Sequence, residues 1–294
     1  MKTIPAKTIV SSYTECGWFG SNYNMNIYKG CCHGCIYCDS RSECYQIDNF
    51  DEVRAKENAL EIIEKDLRSK RKKGIIITGS MSDPYNPFER EYELTRGALK
   101  LIDMYNFGVV IDTKSDLVLR DIDILQNIKS HSPAVVNFTV TTADNVLCKQ
   151  IERNVCTSSK RFEAIKKLTD SGISCGVLLM PILPFINDTE ENIHDIVQKS
   201  AESGARWIYS GGNFGVTLRI NQREYFYQML DEHFPGIKNN YVNLFGDSYL
   251  CISPKNEKLN KLFVSECRKY RLLYRMENIL EEIRKEFVEN QIKF

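Results

Sequence analysis

Residues 24–41 read NMNIYKGCCHGCIYCDSR. Asn24 to Tyr28 is a strand candidate, and the glycine-punctuated loop that follows carries four cysteines. Outward from this stretch, apolar β-branched runs alternate with amphipathic stretches, the pattern of βα units around a parallel sheet. Five further strands are predicted at Gly74 to Gly79, Gly108 to Thr113, Ala134 to Thr141, Ser174 to Pro181 and Ala205 to Ser210. Helices are predicted between them at about Val53 to Lys72, Glu89 to Tyr105, Arg120 to Lys129, Ser159 to Ser171 and Thr189 to Ser203.

Punctuation supports these boundaries. Gly108, Gly172 and Gly204 each sit just past a helical pattern, where a left-handed residue is expected. Asp188-Thr189-Glu190-Glu191 places caps and acidic residues at a helix start, where they meet exposed amides and the helix dipole. Six units in this regular order predict an α/β fold, a partial (β/α)6 barrel of the TIM type over residues 1–215. A doubly wound open sheet is the alternative. Beyond about Asn213 the pattern turns helical, at Gln222 to His233, Glu257 to Arg271 and Tyr274 to Asn290, so residues 216–294 are expected to form a helical region packed on the barrel.

The composition sets limits. With 294 residues, 43% apolar and 27% charged, the chain can bury a sizeable core. Lys plus Arg equals Asp plus Glu at 39 each, so no global charge draws it to nucleic acid. No stretch approaches the length of a membrane span and the start has no signal-like apolar run, so a soluble, cytoplasmic protein is expected. In that compartment thiols stay reduced, and eleven cysteines then point to metal or redox chemistry rather than disulfides.

Six of the cysteines, Cys16, Cys31, Cys32, Cys35, Cys38 and Cys44, fall within 29 residues. Cys31, Cys35 and Cys38 have a Cys-x3-Cys-x2-Cys spacing. Three thiolates can hold three irons of a [4Fe-4S] cubane and leave the fourth iron to a chelating amino acid. Gly30 and Gly34 allow the loop to wrap closely. A zinc site completed by Cys32, His33 or Cys44 is the competing reading, although structural zinc more often uses two separated Cys-x2-Cys pairs. A loop leaving the first strand at its C-terminal end stands where barrel chemistry sits. Cys32 and His33 are expected to pack around the metal ligands, Cys16 and Cys44 to be bystanders.

At this motif the chain resembles the radical S-adenosylmethionine superfamily and, more narrowly, its spore photoproduct lyase-like branch. The segments NMNIYKGCCHGCIYCDSR, GSMSDPYNPFEREYELTRGALKLI, VVIDTKSDLVLRD and LMPILPFINDTEENI carry the resemblance over about residues 22–200. It implies a cluster on Cys31, Cys35 and Cys38 that reductively cleaves S-adenosylmethionine to a 5′-deoxyadenosyl radical. Ser82, Lys114 and Thr139 would hold the amino-acid end of S-adenosylmethionine, and Asp83 would either join them or cap the turn with Pro84. Tyr37 would lie near its adenosyl part, and the backbone around Pro181, Pro184, Asn187 and Asp188 would border the adenine. An electron donor such as flavodoxin or ferredoxin is implied as well. Cys156 is a candidate radical-relevant thiol, while Arg153 and Arg161 are candidates for an anionic substrate or for ion pairs.

Two departures matter. Where spore photoproduct lyases carry their hydrogen-donating cysteine, two residues before Ser82-Asp83, this chain has Ser80, whose O–H bond is too strong for that role. After the last cluster cysteine it has Asp39 instead of tyrosine. The expected function is therefore a radical enzyme acting on an unidentified substrate. A nucleic-acid lesion lyase, with a basic groove from residues 65–73 and 255–275, is the first alternative, and a non-enzymatic zinc- or iron-binding protein the second.

Overall fold

Runs such as VVI at 109–111 and AVV at 134–136 are apolar on both faces, and a strand of that kind is stable only between two covering layers. The computed structural model describes residues 1–13 and 17–291. The chain begins with β1 (Lys2–Ile4) and β2 (Val10–Ser12), then β3 (Tyr23–Met25), β4 (Tyr28–Lys29) and β5 (Arg54–Lys56). The βα units follow: α1 (Ala59–Ser69), β6 (Ile75–Thr78), α2 (Glu89–Tyr92), α3 (Leu94–Met104), β7 (Gly108–Thr113) and α4 (Ile122–Lys129). Next come β8 (Ala134–Thr139), α5 (Asn145–Ile151), α6 (Ser158–Asp170), β9 (Ser174–Leu178), α7 (Glu190–Glu202) and β10 (Trp207–Tyr209). The last part holds β11 (Gly215–Thr217), α8 (Gln222–His233), α9 (Ile237–Phe245), β12 (Leu250–Ile252), α10 (Asn256–Lys269) and α11 (Met276–Gln291).

The main sheet runs β10-β9-β8-β7-β6-β3-β2, all parallel except β2. From β3 to β10 the spatial order follows chain order without reversal. A doubly wound sheet needs a switch point, and this sheet has none, so the partial barrel is the architecture. Its outer face packs on helices through spaced apolar residues such as Ile63 and Leu67 of α1 or Ile193, Ile196 and Val197 of α7. The inner face forms a second core of Ile75, Ile77, Val110, Val135, Leu178 and Trp207, closed by Phe19 and by Ile279 and Ile283 of α11. Gly176 makes that core possible, because a Cβ there would lie 1.7 Å from the Trp207 indole nitrogen. The indole crosses β9 at that gap and donates to Asn137 on β8 at 2.9 Å.

Several local expectations are corrected. The predicted helix from Val53 starts instead as β5, because residues 54–56 pair with β1 on one side and β4 on the other. The helix predicted over Glu89 to Tyr105 breaks at Glu93 (φ 48°), where the Glu89 carboxylate turns back to cap Thr95 N at 2.7 Å. Gly172 and Gly204 are left-handed as expected, but Asn106 (φ 56°) takes that place ahead of β7, leaving Gly108 as its first residue. The C-terminal part is not purely helical, since β11 and β12 form an antiparallel pair and α9 went unread. Among the described residues, no helix is long and apolar enough to cross a membrane.

Candidate active site

The cysteine loop is clamped at its base and along both sides. Tyr28 and Lys29 of β4 pair with Ala55 and Arg54 of β5, closing residues 30–53 into a loop, and Cys31 N donates to Phe50 O at 2.8 Å. Gly30 (φ +81°) passes so close to this return strand that a Cβ would lie 2.5 Å from the Glu52 carbonyl, a position only glycine fills without strain. On the far side the loop meets the last residue of α5 and the segment after it. Ile36 N donates to Ile151 O at 2.9 Å, Asn154 N to His33 O at 2.9 Å and Asn154 Nδ2 to Cys32 O at 2.9 Å.

Beneath the loop sits a charge network that sequence reasoning missed. Tyr37 donates its hydroxyl to Glu152, and the other Glu152 oxygen meets Arg161 at 2.6 Å, both side chains fully buried. Arg161 also donates to the carbonyls of Thr139 and Cys156, each at 2.8 Å. Burial alone would push the Glu152 carboxyl up, but the Arg161 and Lys114 cations and the Tyr37 hydroxyl hold it below its usual value. Of the two roles considered for Arg161, the structure therefore gives it the ion pair. Arg153 is half-exposed and lies beside Tyr225, Met229 and Glu232.

The C-terminal region covers the loop from outside. Cys35, Ile36 and Tyr37 share a core with Val216, Leu218, Phe226, Met229, Leu230 and Tyr241. Gln222 Nε2 donates to Tyr37 O at 2.9 Å, and Arg219 Nε reaches Asp39 Oδ1 at 3.0 Å. Asp39, which departs from the lyase pattern, thus ties the loop to the C-terminal region. Cys44 is exposed and Cys32 half-buried, whereas Cys16 lies outside the described residues.

The remaining expected residues stand at the ends of β6, β7 and β8. Ser82 donates its hydroxyl proton to Gly30 O at 2.6 Å. Asp83 accepts from Tyr85 N at 2.9 Å, Thr113 Oγ1 at 2.8 Å and Lys114 N at 2.7 Å, so its carboxylate ties the end of β6 to that of β7. His33 Nδ1 lies 3.6 Å from the same carboxylate, and burial holds the imidazole below its usual pKa despite that neighbour. Burial also opposes the charge of the Lys114 ammonium, but Cys35, Glu152 and Asp83 more than offset it, and the net shift is upward. The Thr139 side chain is buried at the end of β8. Cys156 places its sulfur 3.1 Å from the Lys114 carbonyl. In the loop after β9, Asn187 braces Leu183 N and Thr141 O, and Asp188 accepts from Ser253 at 2.6 Å.

The donor set suits a cluster better than a single ion. The three thiols of the Cys-x3-Cys-x2-Cys loop supply three sulfur ligands, as a cubane with one open iron needs. In a cubane each thiolate holds its own iron, so the sulfurs stand apart yet within electrostatic reach. The charges of Cys31 and Cys38 both bear on Cys35, so the three thiols lie within electrostatic reach of one another. Burial pushes the Cys31 thiol up to about 12 and that of Cys35 well above its ordinary value. Binding must displace those protons, and the Lys114 cation, which favours the thiolates of Cys35 and Cys38, assists.

Further along the inner face of β7, the Asp112 carboxyl is pushed up to about 6, mainly by burial and also by Asp83, against the Asn137 and Trp18 hydrogen bonds and the Lys114 charge. Its folded pKa exceeds the ordinary 3.8, so the ionised form costs roughly 3 kcal/mol near neutrality, a cost lost as pH falls through 6 towards 4. The melting temperature of wild type relative to Asp112→Asn should rise as pH is lowered through about 6. A difference that stays flat would remove this assignment.

The chain belongs to the radical SAM superfamily, whose family model matches residues 25–197. An uncharacterized protein of Methanocaldococcus jannaschii is 37% identical over 174 residues, a match covering 58% of this chain and 64% of the relative's length. An uncharacterized protein of Mycobacterium bovis is 26% identical over 257 residues, covering 85% of this chain and 75% of that protein. Among solved structures, a spore photoproduct lyase mutant with bound AdoMet and dinucleoside spore photoproduct superposes with a TM-score of 0.64. That match has 13% identity, over 87% of this chain and 76% of the other, and shows a shared fold.

Proposed function

We propose that this chain is a radical S-adenosylmethionine enzyme that carries a [4Fe-4S] cluster on Cys31, Cys35 and Cys38. One observation carries the reading: three thiols in Cys-x3-Cys-x2-Cys spacing on a loop clamped from both sides, with the Lys114 charge at the end of β7 acting on Cys35 and Cys38. When bound, the cluster supplies the electron that breaks the sulfonium of S-adenosylmethionine, and a flavodoxin- or ferredoxin-type donor supplies it in turn. Lys114 attracts the methionine carboxylate, with the Thr139 hydroxyl as a donor to it, while the Ser82 oxygen, whose proton goes to Gly30 O, accepts from the methionine ammonium. Asp83 acts through Lys114 by fixing its backbone. Tyr37 sits beside the adenosyl part, with its hydroxyl held by Glu152. Cys156, at the same end of the barrel, is the thiol within reach of a substrate radical.

The lesion-lyase version has weaker support. Its two basic segments are separated, one at the end of α1, which packs on α3, the other along α10, which packs on α7. Anaerobic reconstitution should give about four irons and four sulfides per chain, and dithionite should then release 5′-deoxyadenosine. One zinc without sulfide would reject the reading.

A further inference from the structure

The inner face of the barrel carries a polar group outside the residues assigned to S-adenosylmethionine. Strand alternation puts Asp112 on the same face as Val110, and Asn137 on the same face as Val135; both valines belong to the inner core. Asp112 Oδ1 accepts from Asn137 Nδ2 at 2.9 Å and Oδ2 from Trp18 Nε1 at 3.1 Å. Trp207 braces Asn137 from across β9, and Trp18 meets Tyr209 edge-on at 5.3 Å. The carboxylate is thereby fixed in orientation. Each oxygen uses one acceptor direction, and a carboxylate has about four.

Two observations set this arrangement apart from structural filling. An apolar pair would occupy the position at lower cost, as Val110 and Val135 do one pleat away, and an acid inside a β run breaks the local rule without a gain in stability. Asp112 also keeps solvent contact, and so do Trp18, Met180 and Tyr209, although it lies among buried strands. The inner face therefore has a partly exposed negative group one pleat below the positive Lys114.

We propose that Asp112, oriented by Asn137 and Trp18, is the substrate subsite of the barrel, and that it takes a group with paired N–H donors, such as an amidine or an amino-substituted ring, while rejecting carboxylates and phosphates. The proposal rests on the radical-enzyme reading and adds the substrate class. Benzamidine and benzoate are near-isosteres of opposite charge and serve as probes. The chain has two tryptophans, Trp18 and Trp207, and both belong to this network, so their fluorescence reports on it.

Reconstituted enzyme with S-adenosylmethionine and no reductant is titrated with each probe. Benzamidine should change the emission saturably and bind at least tenfold more tightly than benzoate, and Asp112→Asn should weaken benzamidine at least tenfold. Equal responses to the two probes, no response to benzamidine up to its solubility limit, or undiminished binding by the variant would each overturn the proposal. Should the variant not fold, the wild-type comparison decides alone. Cluster absorption and 5′-deoxyadenosine release, recorded on the same preparation, separate failure of this subsite from failure of the enzyme reading.

Discussion

Replacing Arg161 with methionine should destabilise the protein by about 3–5 kcal/mol, because it leaves the Glu152 carboxylate buried without its cation. The guanidinium is wholly enclosed and donates to Glu152, Thr139 O and Cys156 O, with Cys148 Sγ at 3.6 Å as well. For a chain of this length such a loss lowers the melting temperature by roughly 10 °C. The damage should recede when Glu152 is replaced by leucine in the same molecule, since exchanging a whole buried pair for apolar groups is often close to neutral. Thermal or urea unfolding of the metal-free chain measures both effects. A loss below about 1 kcal/mol for the single variant would mean that the pair contributes little beyond a surface contact.

The second large effect concerns the metal. Cys31→Ala, Cys35→Ala and Cys38→Ala should each abolish 5′-deoxyadenosine release and strip most of the iron, since a cubane missing one of three thiolates loses an anchored corner. Cys32→Ala and Cys44→Ala should keep both iron and release. Cys44 is exposed, and Cys32 is held through its backbone carbonyl rather than its sulfur. Iron and sulfide analysis of the five anaerobically prepared variants makes the comparison. Iron retained by all three of the first group would sink the assignment of ligands.

Legibility in the sequence followed the length and period of each element. β7 was readable to the residue because GVVIDT is a largely β-branched run between clear turns, and α8 likewise kept its expected limits. The three-residue strands β1 and β5 and the two-residue β4 have no period to detect; they exist because they pair with one another. Val53 and Ala55 looked like the start of a helix for the same reason. The cysteine loop was legible from its spacing, which needs no tertiary knowledge. Glu152 was not, because nothing in QIERN marks a buried acid until Ile36 pairs with Ile151 and brings Tyr37 above it. Asp112 did leave a signal, an acid inside VVIDT, and only its partners Asn137 and Trp18 were out of reach of a linear reading.

The shared core between the cysteine loop and the C-terminal region sets an order of events during synthesis. The residues that seal Cys35 and Tyr37, from Val216 to Tyr241, leave the ribosome well after the loop itself. In a nascent chain that has completed its βα units but not these residues, that cover over the Cys35 thiol is missing, so under the proposed function the cluster has access before closure.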